Sequence, residues 1–192
     1  MKILFVCTGN TCRSPMAEAI LRKNSAHDVK SAGIFAQANT PINENARRVL
    51  KEKNIDHHGS SQSITGDLID WADLILTMTN QHKHTLVTQF SAAFGKVYTL
   101  KEYVDEDAEQ KWQALKQAHL NLEEKRARAI EELTEEQLRA FLQAEEDEIA
   151  KLEQELPNLD ISDPFGSDLA TYQEVAAEIE QAIDLLIKKL AK

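Results

Sequence analysis

The chain is expected to fold as an α/β three-layer sandwich: a four-stranded parallel sheet with helices on both faces, carrying one long helical hairpin as an insertion. Three observations predict this. Four short apolar runs, at residues 3–6, 29–34, 73–78 and 96–100, alternate with segments of helical periodicity, the pattern of a parallel sheet covered on both sides. The first run passes through a tight turn directly into a helix start. Residues 105–156 then switch to long, charged, glycine-free helical sequence.

Taken in order, Ile3, Leu4, Phe5 and Val6 form an apolar β-rich strand that should end at Cys7. Thr8, Gly9 and Asn10 are turn formers, and Ser14 before Pro15 is the pair expected at a helix N-cap and first helical position. That helix should run to about Ala26, with Met16, Ala19, Ile20 and Lys23 spaced over its inner and outer faces. Val29 to Ile34 reads as a second strand. Thr40-Pro41 and Asn43 open a helix through Leu50, and the polar loop from Asn54 to Ser63 carries His57 and His58, expected to be exposed rather than ligands. A short helix over Thr65 to Trp71, a strand over Asp73 to Met78, a helix over Gln81 to Phe90 and a strand over Lys96 to Leu100 follow. His82 and His84, two apart, fall on different faces of that helix and should not share a metal. The final amphipathic helix, Asp168 through Leu190, should bury Tyr172, Val175, Ile179, Ile183 and Leu186.

Between them, two helices are expected to form an antiparallel hairpin. One carries Trp112, Leu115, His119, Leu122, Ile130 and Leu133, and the other Leu138, Leu142, Ile149, Leu152 and Leu156, at spacings of mostly three or four. Thr134 with Gln137 makes a capping box that starts the second helix, and Pro157-Asn158 ends it. Residues 102–160 hold 18 Asp plus Glu against 7 Lys plus Arg, a net of −11, whereas the remainder holds 14 against 15, a net of +1. The insertion, 105–157, is thus an acidic element within one domain. Its apolar stripes suit a docking or dimerisation surface as well as a tolerated insertion.

The chemistry concentrates in the first fifteen residues. In a strand, tight loop, helix start arrangement, the backbone N–H groups of residues 8 to 13 can converge on one spot at the positive end of a helix, a nest for a tetrahedral oxyanion. Cys7 sits at its base, where a thiol is expected to ionise and act as a nucleophile. Arg13, at the lip, can clamp two phosphoryl oxygens with its planar fork. Cys7 also stands at the C-terminal end of the first strand, where parallel sheets bind their ligands.

Cys7-Thr-Gly-Asn-Thr-Cys-Arg-Ser-Pro15 closely resembles the phosphate-binding loop of the low-molecular-weight protein tyrosine phosphatases, and within them it looks most like the bacterial protein-arginine phosphatases. The resemblance covers residues 1 to about 104 and about 160 to 192, with Ser31-Ala32-Gly33 also matching. It implies one phosphatase domain over 1–192 and a two-step hydrolysis. Cys7 would be the nucleophile and Arg13 the clamp, with Thr8, Gly9, Asn10, Thr11 and Cys12 around the substrate and Asn10 and Ser14 bracing the loop. From the residues alone, Asp160 and Asp163 compete as acid, and an Asp-Pro pair is ordinarily a turn. The family's Asp-Pro loop selects Asp163, which precedes Pro164. Resemblance further implies that Cys12 is a resolving thiol for Cys7, that Thr11 favours phosphoarginine where tyrosine-directed members carry a larger aliphatic residue, and that Phe165 flanks the substrate. Phosphotyrosine hydrolysis is the second reading. Arsenate reduction would need shuttle cysteines, and none follows Cys12; a non-catalytic phosphate binder sits poorly with intact Cys7, Arg13 and Asp163.

The resemblance implies phosphorylated proteins as partners, with inorganic phosphate as product, and composition excludes other classes. A net charge of −10 argues against nucleic acid. No run approaches a membrane span or a signal peptide, so a cytoplasmic protein is expected. Two cysteines five apart suit a reducing compartment and no disulfide framework, and no zinc spacing or cofactor motif is present.

Overall fold

The computed structural model describes residues 1–105, 107–129 and 133–191, which divide into two compact units, Met1–Val104 with Leu159–Lys192, and Asp105–Asn158. The first unit is built as β1 Lys2–Cys7, α1 Arg13–Asn24, β2 Asp28–Gly33, α2 Glu44–Glu52, α3 Gly66–Trp71, β3 Leu74–Thr77, α4 Asn80–Gln89, β4 Val97–Thr99 and α5 Leu100–Val104. The second holds α6 Ala108–Ala129 and α7 Glu135–Glu155, after which α8 Leu169–Leu190 completes the first. All four strands are parallel in the order β2-β1-β3-β4, with β1 paired on both sides. The expected three-layer α/β sandwich is what forms.

Strand periodicity explains the layers. Along β1, Ile3, Phe5 and Cys7 pack with α1, α2 and α8 through Met16, Leu50, Tyr172 and Ile179, while Leu4 and Val6 pack on the opposite face with Ile69, Ile75 and Leu86. Both faces are covered, so the strand reads as an unbroken apolar run. The buried face of α8 is the expected one: Tyr172, Val175, Ile179, Ile183 and Leu186 are all buried, and Asp168 caps it by accepting from Thr171 N–H at 3.0 Å.

Some boundaries differ from expectation. The first helix begins at Arg13 and ends at Asn24, and its N-cap position is Cys12 without a side-chain cap. Ser14 is not the cap because its hydroxyl is spent on the loop below. Pro15 is the third helical residue, where its missing N–H still costs nothing since the first four amides lack intrahelical partners. Helix α5 takes the place of a longer β4. His57 is half-buried rather than exposed, and burial lowers its pKa.

In the second unit, the Thr134–Gln137 capping box is formed and Lys125 Nζ bridges to Glu145 at 2.6 Å. The buried stripe joins Leu115, Ala118 and Leu122 to Leu142 and Ile149. Trp112 and His119 lie outside it, exposed, because Ala118 fills the inward position between the two leucines. Ile130 lies outside the described residues. Among the described residues no helix is long and apolar enough to cross a membrane.

Candidate active site

Two segments of the first unit, 7–13 and 163–165, build one cavity of about 240 Å³, lined by Cys7, Thr8, Gly9, Thr11, Cys12, Arg13, Asp163 and Phe165. The loop can turn tightly because Asn10 adopts the left-handed conformation, φ 53°, which asparagine tolerates. Gly33, paired with Cys7 across the sheet, makes room for it: a Cβ there would sit 2.7 Å from Thr8 O and 2.8 Å from Asn10 N. Phe35 N–H donates to Thr8 O at 2.9 Å and holds the loop against the end of β2.

Around the sulfur the donors are fixed. Asn10 N–H points at Cys7 Sγ from 3.3 Å, and Ser14 Oγ lies 3.0 Å from it. The Asn10 side chain braces the turn, donating to Ser14 Oγ at 3.0 Å and Ser31 Oγ at 2.7 Å and accepting from Gln62 N–H at 2.9 Å. Ser31 Oγ in turn donates to Glu18 Oε2 at 2.5 Å. Asn10 and Ser14 therefore stand behind the loop rather than in the cavity. Every buried side-chain polar atom among the described residues has a partner.

Arg13 enters from the first turn of α1 and is buried. Its Nη1 donates to Ile161 O at 3.1 Å and its Nη2 to Asp163 Oδ2 at 2.6 Å. Asp163, with its side chain 51% exposed, also accepts from Phe165 N–H at 3.2 Å, which orders the Asp-Pro turn. Asp160 is committed elsewhere: its Oδ1 accepts Asn80 N–H at 2.7 Å at the start of α4. Phe165, 73% exposed, stands at the rim. Cys12 faces inward to Tyr172, Sγ to OH 3.3 Å. Burial raises the Cys12 thiol pKa, and burial together with this contact raises that of Tyr172.

Reading the chain missed His82, whose buried ring touches Thr8 of the loop, Nε2 to Oγ1 2.9 Å. The available signal was Thr79, whose hydroxyl caps α4 and faces the ring back toward the sheet end. His84 is exposed. Gln62 and the hydroxyl of Tyr172 were also missed, since nothing local marks them.

Residues 2–156 match the low molecular weight phosphotyrosine protein phosphatase family. A protein-arginine-phosphatase of Bacillus subtilis (strain 168) is 47% identical over 109 residues, 54% of this chain and 73% of its own length. Another, from Geobacillus stearothermophilus, is 33% identical over 191 residues, 98% of this chain and 95% of its own. The solved YwlE arginine phosphatase from Geobacillus stearothermophilus superposes with a TM-score of 0.70 at 33% identity, over 99% of this chain and 92% of that one. With Cys7 at the end of its first strand and similarity of this extent, the chain belongs to the low molecular weight phosphotyrosine protein phosphatase family and is a cysteine-dependent phosphatase.

Proposed function

We propose that the chain hydrolyses phosphoarginine in proteins in two displacements. The observation that carries this reading is one cavity in which Cys7 Sγ, held by Asn10 N–H at 3.3 Å and Ser14 Oγ at 3.0 Å, opens beside the Arg13–Asp163 pair at 2.6 Å. The Cys7 thiolate attacks phosphorus, the P–N bond breaks, and Asp163 gives its proton to the departing guanidine nitrogen. Loop amides and the Arg13 guanidinium hold the equatorial oxygens. Asp163, now a carboxylate, takes a proton from the water that cleaves the cysteinyl-phosphate and releases phosphate.

Substrate choice is assigned to Thr11 and Phe165, which line the cavity. A small polar side chain at position 11 leaves space beside the phosphoryl nitrogen, and an exposed aromatic ring suits the planar guanidinium. The names of the two relatives support this choice. Phosphotyrosine is the second reading, favoured by the family's description. Wild type should turn over a phosphoarginine peptide faster than the matching phosphotyrosine peptide, and Thr11→Ile should move the ratio toward phosphotyrosine by roughly tenfold or more. A wild-type preference for phosphotyrosine would overturn the substrate assignment and leave the mechanism standing.

Cys12 is proposed as the resolving thiol. Peroxide converts the Cys7 thiolate to a sulfenic acid; the Cys12 thiol then displaces water and forms the disulfide. Both cysteines are free and border the same cavity. Mass spectrometry after mild peroxide should find the Cys7–Cys12 link, and sulfinic or sulfonic Cys7 in its place would refute the role.

The chain is read as one phosphatase domain acting in the cytoplasm on phosphorylated proteins, with 105–157 as an acidic insertion for docking protein partners or a second copy. Exposed Trp112, Leu120 and Phe141 support the docking role. Replacing residues 106–156 by a short linker should lower activity on protein substrates, or the oligomeric state, while sparing p-nitrophenyl phosphate. Unchanged values for both would end this reading.

A further inference from the structure

The ring of His82 sits between two threonines, with Nε2 2.9 Å from Thr8 Oγ1 and Nδ1 2.9 Å from Thr79 Oγ1. Thr79 Oγ1 already accepts the backbone N–H of His82 at 3.2 Å, and its own hydroxyl proton has no acceptor among the described residues except Nδ1. When that proton goes to Nδ1, the ring hydrogen sits on Nε2 and is donated to Thr8 Oγ1. The Thr8 hydroxyl proton is then left over, on an exposed residue lining the cavity. The opposite tautomer would strand a proton on half-buried Thr79, where an unmade bond costs more.

We propose that the Thr8 hydroxyl donates a hydrogen bond to an oxygen of the bound phosphoryl group or phosphate, and that His82 and Thr79 are the positioning residues that aim it. The inference rests on the loop being the oxyanion site proposed above and adds a side-chain donor to its amides. His82 has to stay neutral, because an imidazolium has no acceptor left for the Thr79 hydroxyl. Burial first, then Arg13, hold its pKa down to about 4 against the opposing pull of Asp163 and Asp160. Those are the charged groups facing the ring, from α1 and from the acid-bearing loop. The same turn holds that loop too, through Ile161 N–H to Met78 O at 2.7 Å and Asn80 N–H to Asp160 Oδ1 at 2.7 Å.

The test is the affinity of the full chain for inorganic phosphate at pH 7 by calorimetry, which does not depend on turnover. Thr8→Val should weaken it by about tenfold and Thr8→Ser by no more than about threefold. His82→Leu should match Thr8→Val, and the double variant should be no weaker than either alone. His82→Gln, whose amide nitrogen takes the place of Nε2, should recover most of the affinity, and His82→Asn should not. Nitrogen-15 NMR should find the ring hydrogen on Nε2. Thermal melting adds a separate sign. Unfolded His82 takes up a proton below about pH 6.5 while the folded ring resists until about 4, so stability complete above 6.5 is lost as pH falls through that window. His82→Gln should lack this slope. Thr8→Val within twofold of wild type, losses that multiply in the double variant, or a hydrogen on Nδ1 would each overturn the inference. Absence of phosphopeptide turnover by wild type would instead strike the proposed function.

Discussion

Cys7→Ser is expected to lower turnover of phosphoarginine or phosphotyrosine peptides by roughly 10⁴-fold or more, while the folded protein still binds phosphate. The reason lies in what surrounds the sulfur. Its contacts are the Asn10 amide and the Ser14 hydroxyl, groups that can stabilise an anion but cannot remove a proton from a serine. The imidazole that touches the loop, that of His82, is engaged with Thr8 and Thr79 instead. A serine there would therefore remain a neutral, weak nucleophile. Cys7 is buried, so the smaller oxygen leaves the packing nearly intact and the melting temperature reports folding separately from chemistry. Turnover within tenfold of wild type would show that the sulfur is not the nucleophile.

Asp163→Asn should cost roughly 10²- to 10⁴-fold in the rate of the first displacement, read in a single turnover. The size should depend on the leaving group. A guanidine nitrogen must receive a proton to depart, whereas p-nitrophenolate leaves without one, so the loss should be larger on phosphoarginine. Equal losses on both substrates would mean that the change acts only through the lost 2.6 Å pair with Arg13. The same substitution at Asp160 should be felt much less, because its Oδ1 caps α4 and asparagine can still accept the Asn80 N–H.

The two carboxylates illustrate where reading the chain runs out. Both lie within one short segment, and composition does not separate them; the family resemblance was needed to prefer Asp163. In three dimensions the backbone of Ile161 is pinned to Met78 O and to Arg13, which leaves Asp160 on the α4 side and Asp163 on the Arg13 side. Helix boundaries show a similar limit. Ser14-Pro15 is an ordinary helix-start pair, yet the hydroxyl is better used against Cys7 and Asn10, so the helix opens at Arg13. Ala118 rather than His119 enters the hairpin core, because a small apolar residue carries little signal in a periodicity count.

Sequence was sufficient for the parallel α/β layering, because burial on both faces of the central strands writes unbroken apolar runs into the chain. It also sufficed for the strand, turn and helix start that carry Cys7 through Arg13, because these residues are consecutive and their order is a local property. The supports of that loop had to await the fold. Ser31 and Gln62 reach Asn10 from 21 and 52 residues away, His82 reaches Thr8 from 74, and Tyr172 reaches Cys12 from 160. Such pairings are set by sheet order and helix packing, and no spacing along the chain encodes them.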